Sequence, residues 1–337
     1  MKSPEGSVPI ESKYGFAGRL TAEFPSQLIV DAGDLCNLAC VHCPQSLFSR
    51  TPQKAHEYLD PEMNVKLVDE VGGDGSGFVQ FIRYSSSGET LLHPKIYEMI
   101  GYAVRHSCTS VCVTTNGTLL TGRNRTRLLE MGIHSIDISL DAYKEETYSK
   151  IRVKGDLRVT RKNVLDLIRE NRSNGDKTRI AVSFIEQPLN DGEAAEFEKF
   201  WKSQGADFVI IRRLHSNAGA LKELADEIRQ RPSNVKRRPC LYPWERMVLS
   251  SGGYLMFCPA DWNHGSSVVD FRTATIVETW RGEFYKRLRR AHLNNDYSDF
   301  AFCGNCPDWS ATRWPGKGRS FADMIQDFAA HPTGGKI

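Results

Sequence analysis

The chain has 337 residues, 40% hydrophobic and 25% charged, and its 44 basic and 41 acidic residues leave a net charge of +3. Such a composition supports one large or two smaller globular domains and is too near neutrality to argue for a nucleic-acid or membrane partner. No apolar run approaches the roughly 18 residues of a membrane span, no secretory apolar segment is visible near the N-terminus, and nine cysteines in a protein so read as cytoplasmic point to metal rather than disulfides.

In chain order, residues 1–26 carry little pattern. Residues 28–31 read as a first strand running into a cysteine-rich loop. Asp60 and Pro61 read as an N-cap and a first-turn proline. They open a helix with Met63, Leu67, Val68 and Val71 on one side and Gly72-Gly73 at its end. Residues 78–84 predict a second strand, and 94–106 a helix with Ile96, Met99, Ile100, Ala103 and Val104 at helical spacing. Further strands are expected at 111–115, 135–141, 179–186 and 207–212. Between them lie a short helix stopped by Gly132 and helices at 156–171 and 193–204.

Six strands alternating with helices predict an α/β fold with a parallel sheet, occupying residues 27–215. Ligands of such sheets sit at the carboxyl ends of the strands. Residues 216–239, charged and containing Pro232, read as a linker. Beyond Cys240 the pattern changes to short β-like runs, 247–249 and 254–257, joined by Ser251-Gly252-Gly253. This sets a second, small domain at 240–310, and the tail at 311–337 holds one short helix prediction, 321–329. The basic run Lys286-Arg287-Leu288-Arg289-Arg290 reads as the solvated face of a helix.

Cys36, Cys40 and Cys43 stand at C-x3-C-x2-C spacing on the loop after the first strand. Three thiolates on one loop can hold three irons of a 4Fe–4S cluster and leave the fourth open to a small chelating ligand. A zinc knuckle completed by His42 or a distant residue is the alternative.

The run Cys36-Asn37-Leu38-Ala39-Cys40-Val41-His42-Cys43 resembles the signature of the radical S-adenosylmethionine (SAM) enzymes, and the resemblance extends in order from about residue 28 to about residue 309. It implies a partial (βα)6 barrel, a 4Fe–4S cluster on these three cysteines, and SAM at its open iron. Ser86-Ser87-Gly88-Glu89 is similar to the family's GGE segment, which holds the SAM amino group; Ser87 stands where glycine is usual. On the fourth strand Ile136, Ile138 and Leu140 alternate with Asp137, Ser139 and Asp141. In the family, the segment matching Ser139-Leu140-Asp141 contacts SAM. Thr115-Asn116-Gly117 resembles a third-strand segment whose asparagine lines the pocket. The resemblance therefore implies Ser87, Gly88, Glu89, Asn116, Ser139 and Asp141 as SAM contacts. The ends of the fifth and sixth strands offer Glu186, Arg212, Arg213, His215 and Asn217 as substrate-pocket candidates, since arginine's planar fork suits carboxylates and hydroxyls.

Cys240, Cys258, Cys303 and Cys306, with a C-x12-G-x4-C segment and the ending Cys303-Gly304-Asn305-Cys306-Pro307-Asp308-Trp309, resemble the twitch form of the SPASM extension. The resemblance implies one auxiliary 4Fe–4S cluster; a four-cysteine zinc site is the alternative. Cys108 and Cys112 read as buried small hydrophobes.

The activity implied is cleavage of SAM to a 5′-deoxyadenosyl radical and hydrogen abstraction from a small polar molecule: a sugar, aminocyclitol or nucleoside. Net oxidation is favoured, because seven of nine cysteines are assigned to clusters and few remain as hydrogen donors. An electron donor such as flavodoxin or ferredoxin is the expected partner. Epimerisation, decarboxylation or coupling of the same substrates, a SPASM-type peptide maturase, and a zinc scaffold or electron carrier stand as alternatives.

Overall fold

The computed structural model describes residues 14–16, 20–48, 57–85, 87–231, 236–262, 264–312 and 314. Six parallel strands follow one another across the sheet: β1 (Gln27–Val30), β2 (Phe81–Tyr84), β3 (Ser110–Thr115), β4 (Ser135–Ser139), β5 (Arg179–Glu186) and β6 (Phe208–Arg213). Helices fill the crossovers: α1 (Pro44–Phe48), α2 (Pro61–Gly72), α3 (Ile96–His106), α4 (Gly122–Glu130), α5 (Glu145–Ile151), α6 (Leu157–Ser173) and α7 (Ala194–Gln204). The sequential order and uniform direction make a partial (βα)6 barrel.

Local chemistry sets these elements. The Asp60 carboxylate accepts the Glu62 amide at 3.0 Å, Pro61 occupies the first turn of α2, and Leu67, Val68 and Val71 are fully buried. Asp156 caps α6 through the Arg158 amide at 2.8 Å. The second strand starts three residues later than its apolar run suggests. The amides of Phe78 and Val79 turn back to the Gly75 carbonyl and keep that stretch out of the ladder. The seven-residue α5 escaped sequence reading, and so did α8 (Lys222–Gln230), which lies within the expected linker and buries only Ala225.

The C-terminal half does not form a separate sheet. After α9 (Tyr242–Glu245), strand β7 (Arg246–Leu249) pairs in parallel with the free edge of β1. Strands β8 (Tyr254–Met256) and β9 (Ser267–Asp270) then extend it antiparallel. The result is one nine-stranded sheet in the order β6-β5-β4-β3-β2-β1-β7-β8-β9. Helices α10 (Ile276–Arg281), α11 (Glu283–Asn294) and α12 (Ala301–Asn305) complete this half, and the basic run 286–290 lies on α11.

A single apolar cluster reaches from the barrel strands to Phe271, Trp280 and Leu288. Lys66 on α2 donates to the carbonyls of Phe271 (2.6 Å) and Ala274 (2.7 Å), while Glu70 accepts the Ile276 amide at 2.7 Å. The helix predicted at 321–329 lies outside the described residues. Among the described residues no helix is long and apolar enough to cross a membrane.

Candidate functional site

The loop after β1 is built to hold its cysteines in place. The Asp31 amide donates to Leu249 on β7 at 2.9 Å, and the Asp31 carboxylate accepts both the amide (2.9 Å) and the hydroxyl (2.7 Å) of Ser87. Gly88 donates to the Gly33 carbonyl at 3.0 Å, and Glu89 to the Leu35 carbonyl at 2.8 Å. A Cβ at position 88 would stand 1.9 Å from the Leu35 oxygen, so this approach needs glycine. On its far side the loop is tied by Ala39 to Val153 and by Val41 to Ile151, both at 3.0 Å.

Cys36, Cys40 and Cys43 border one cavity together with Ser87, Gly88, Glu89, Asn116 and Ser139. None of the three cysteines is in a disulfide. Burial pushes the Cys36 thiol up and the Cys43 thiol up to about 12. Thiolates in such surroundings call for a bound cation, which suits a metal cluster.

The two acidic candidates are held by the protein itself. Glu89 accepts the Thr115 hydroxyl (2.6 Å), the Asn116 amide (2.7 Å) and the Leu91 amide (3.1 Å). It thereby fixes Asn116, whose side chain donates to Asn37 at 2.9 Å beside the cysteines. Asp141, fully buried and at φ +61°, accepts the Ile185 amide at 2.8 Å and lies 3.3 Å from His42 Nε2. It also pairs with Arg152 at 2.5 Å. Arg152 lines the same cavity, and its other terminal nitrogen is 3.6 Å from Cys40 Sγ. Burial lowers the His42 pKa to about 4 against the opposing pull of Asp141. Sequence reading missed Arg152. It follows the short α5 in an irregular stretch, and only its buried partners reveal it.

A second cavity adjoins the first and shares Ser87, His215, Asn217 and Trp262 with it. Arg212 and Arg83 line it, and both donate to one oxygen of Asp137, at 2.8 and 2.9 Å. Glu186 and Arg213, expected in the pocket, are exposed and line neither cavity. The strand register pairs Ile185 with Arg212 and Glu186 with Arg213, so alternation turns the second pair outward. Cys108 is also not buried as expected. It lies exposed at φ +52°, in the left-handed position just past α3, whereas Cys112 is buried.

Cys240, Cys258, Cys303 and Cys306 line a third cavity, with His215 and Asp308 at its border. Burial raises all four thiols, Cys306 to about 12. Among the described residues no three His, Cys, Asp or Glu side chains converge on a single metal ion. Four cysteines on this cavity and three on the first give each a thiolate set of the kind that holds an iron–sulfur cluster.

The comparisons agree with this arrangement. A family model described as the radical SAM superfamily matches residues 31–197, and one described as an iron–sulfur cluster-binding domain, SPASM, matches residues 240–307. The chain belongs to the radical SAM superfamily and carries a SPASM domain in its C-terminal half. The superfamily implies a 4Fe–4S cluster and SAM, and the SPASM domain an auxiliary iron–sulfur cluster.

Among curated relatives, the mycofactocin maturase MftC of Mycolicibacterium smegmatis is 27% identical over 209 residues, 62% of this chain and 48% of the maturase. The GTP 3′,8-cyclase of Chlorobaculum tepidum is 36% identical over 117 residues, 34% of this chain and 33% of the cyclase. The alignments thus span less than half the length of either relative. Among solved structures, Streptococcus suis SuiB bound to precursor peptide SuiA aligns with a TM-score of 0.62 and 12% identity, covering 90% of this chain and 73% of SuiB. BtrN in complex with AdoMet and 2-DOIA aligns with a TM-score of 0.55 and 16% identity, covering 83% and 92%. At these identities the likeness is one of fold.

Proposed function

We propose that this radical SAM enzyme is a maturase that removes hydrogen from a peptide side chain. Cys36, Cys40 and Cys43 hold the SAM-binding cluster, and Cys240, Cys258, Cys303 and Cys306 the auxiliary one. The observation that carries the substrate class is the likeness to the mycofactocin maturase over 62% of the chain. It favours the peptide reading over the sugar, aminocyclitol or nucleoside substrate expected from sequence.

When bound, SAM with the first cluster supplies a 5′-deoxyadenosyl radical that abstracts hydrogen, and the auxiliary cluster supplies an electron acceptor. The chain's own residues do the positioning. Gly88 and the Asp31–Ser87 pair set the cysteine loop against the strand ends. Ser87, Glu89, Asn116 and Ser139 border the space for SAM, and Arg152, held by Asp141, closes it beside Cys40. His215 and Asn217 face both this space and the neighbouring cavity, where Arg212, steadied by Asp137, offers donors to substrate.

Net oxidation is the proposed outcome. Neither Cys108 nor Cys112 lines the two cavities, so neither thiol is placed to return a hydrogen atom to the substrate. The electron donor is a small redox protein of the flavodoxin or ferredoxin type.

The polar wall of Arg83 and Arg212, both held by Asp137, favours one second reading, oxidation of a small hydroxylated molecule. Anaerobic incubation with SAM and reductant separates the two. The proposal expects a peptide panel, and not a sugar and nucleoside panel, to stimulate 5′-deoxyadenosine release and to yield a product about two mass units lighter. Stimulation by the small molecules alone would reverse the assignment. The triple substitution of Cys36, Cys40 and Cys43 by alanine is expected to abolish SAM cleavage.

A further inference from the structure

His292 on α11 is 3% exposed, and its ring lines the cavity shared by Cys240, Cys258, Cys303 and Cys306. The ring is set edge-on against Trp244 and Tyr297, with centroids 6.1 and 5.0 Å away. Its Nδ1 is an acceptor. The Cys240 amide donates to it at 3.3 Å, and the Tyr297 hydroxyl lies 3.2 Å from the same nitrogen. A ring that accepts at Nδ1 carries its proton on Nε2.

That buried Nε2–H has no hydrogen-bond partner among the described residues. A donor so placed is costly to leave unmade. Arg237, on the same cavity, repeats the pattern. Its terminal nitrogens donate to the carbonyls of Gly304 (2.9 Å) and Cys303 (2.5 Å), while its buried Nε has no partner. Two N–H groups without acceptors therefore border four thiols. Sulfur held by iron is an acceptor, and hydrogen bonds to it raise a cluster's reduction potential.

We propose that the Nε2–H of His292 donates to a sulfur of the auxiliary cluster and raises its potential, fitting it to take up an electron. The inference rests on the assignment of the four C-terminal cysteines to that cluster. His292 is a positioning residue here, acting on the cluster and not on substrate. The ring is unusual in being tied through one nitrogen to a ligand's own amide, so the Cys240 backbone and the cluster would be gripped by opposite sides of one imidazole.

The test compares the anaerobically reconstituted holoenzyme with His292→Leu and with His292→Gln, which keeps an N–H near the position of Nε2. The auxiliary cluster is identified as the paramagnetic signal that SAM does not perturb. Its midpoint potential is followed by redox titration, and exchangeable protons near it by electron–nuclear double resonance before and after transfer to deuterium oxide. The expected result is an exchangeable proton coupling present in wild type, lost in His292→Leu and retained in His292→Gln. The potential should become more negative in the leucine variant and recover in the glutamine one, at unchanged iron content. Unchanged coupling and potential in His292→Leu would overturn the proposal. So would a directly bonded nitrogen coupling in wild type, which would make the ring a ligand. If the leucine variant takes up no iron, wild type labelled with 15N-histidine decides alone, and absence of a histidine-borne exchangeable proton refutes the proposal. A wild-type protein with a single cluster signal would instead sink the underlying cysteine assignment, and the inference with it.

Discussion

Asp308 holds Ser216 at two points, accepting its amide at 3.0 Å and its hydroxyl at 2.8 Å. The same carboxylate accepts the Ala218 amide at 2.8 Å. Asn217, Ala218 and Gly219 all have positive φ, a left-handed run that an alanine adopts only when its surroundings hold it there. Asp308 stands two residues after Cys306. The turn that presents His215 and Asn217 to both cavities is therefore anchored on the auxiliary cysteine segment.

Replacing Asp308 by alanine removes all three bonds. The expected cost is about 2–3 kcal/mol, since bonds to a charged acceptor are among the stronger ones but do not add fully. With the second cavity as the proposed substrate space, substrate-stimulated 5′-deoxyadenosine release should fall further than SAM cleavage without substrate, because the turn borders that cavity as well as the first. An equal fall in both would show that the turn serves stability alone.

Gly88→Ala should strike the first cluster selectively. With 1.9 Å between the new Cβ and the Leu35 oxygen, the loop carrying Cys36 must move. The expected protein has about half the iron of wild type, keeps its auxiliary signal and does not cleave SAM. Ser87→Ala removes only a hydroxyl bond to Asp31 and should cost about 1 kcal/mol with the cluster retained. Iron analysis of the two variants side by side tests the contrast.

Asp137 gives a dependence on pH with a defined sign. Burial alone would raise its pKa, but Arg212 and Arg83 outweigh burial and hold it below the ordinary value of 3.8. The folded pKa is thus lower than the unfolded one. The resulting stability is fully present above the unfolded value and is lost as pH falls through the folded one. Asp137→Asn should cost about 3–5 kcal/mol near neutrality by leaving two guanidiniums without their carboxylate. Urea unfolding should show the gap from wild type shrinking below about pH 4. A gap that stays constant to low pH would mean that shape, not charge, is what the asparagine disturbs.

Much of the barrel could be read from periodicity. The fifth strand runs over residues 179–186 as expected, and alternation on the fourth put Ser139 and Asp137 on the polar face that borders the cavities. The spacing of the cysteines separated two sets that line two different cavities. Relations across long separations stayed hidden. Arg83 is one charge in an apolar strand, and its partner Asp137 lies two strands away. Arg152 owes its place to Asp141 and Cys40, neither in periodic relation to it. Glu186 and Arg213 were overread as pocket residues, because composition at a strand end says nothing of which face a side chain takes.

The pairing of β1 with both β2 and β7 has a consequence for the order of assembly. Gln27 lies opposite Phe81 on one edge and Arg246 on the other, so β1 gains its second neighbour only after β2 to β6 have been synthesised. Until then its apolar residues and one row of backbone groups stand open, the kind of edge that invites pairing with another chain. The loop bearing Cys36, Cys40 and Cys43 hangs from that strand, with the Asp31 amide waiting on Leu249. Cys36, Cys40 and Cys43 are thus set only after β7 has been made, and iron delivered before then would meet a cradle that does not yet exist.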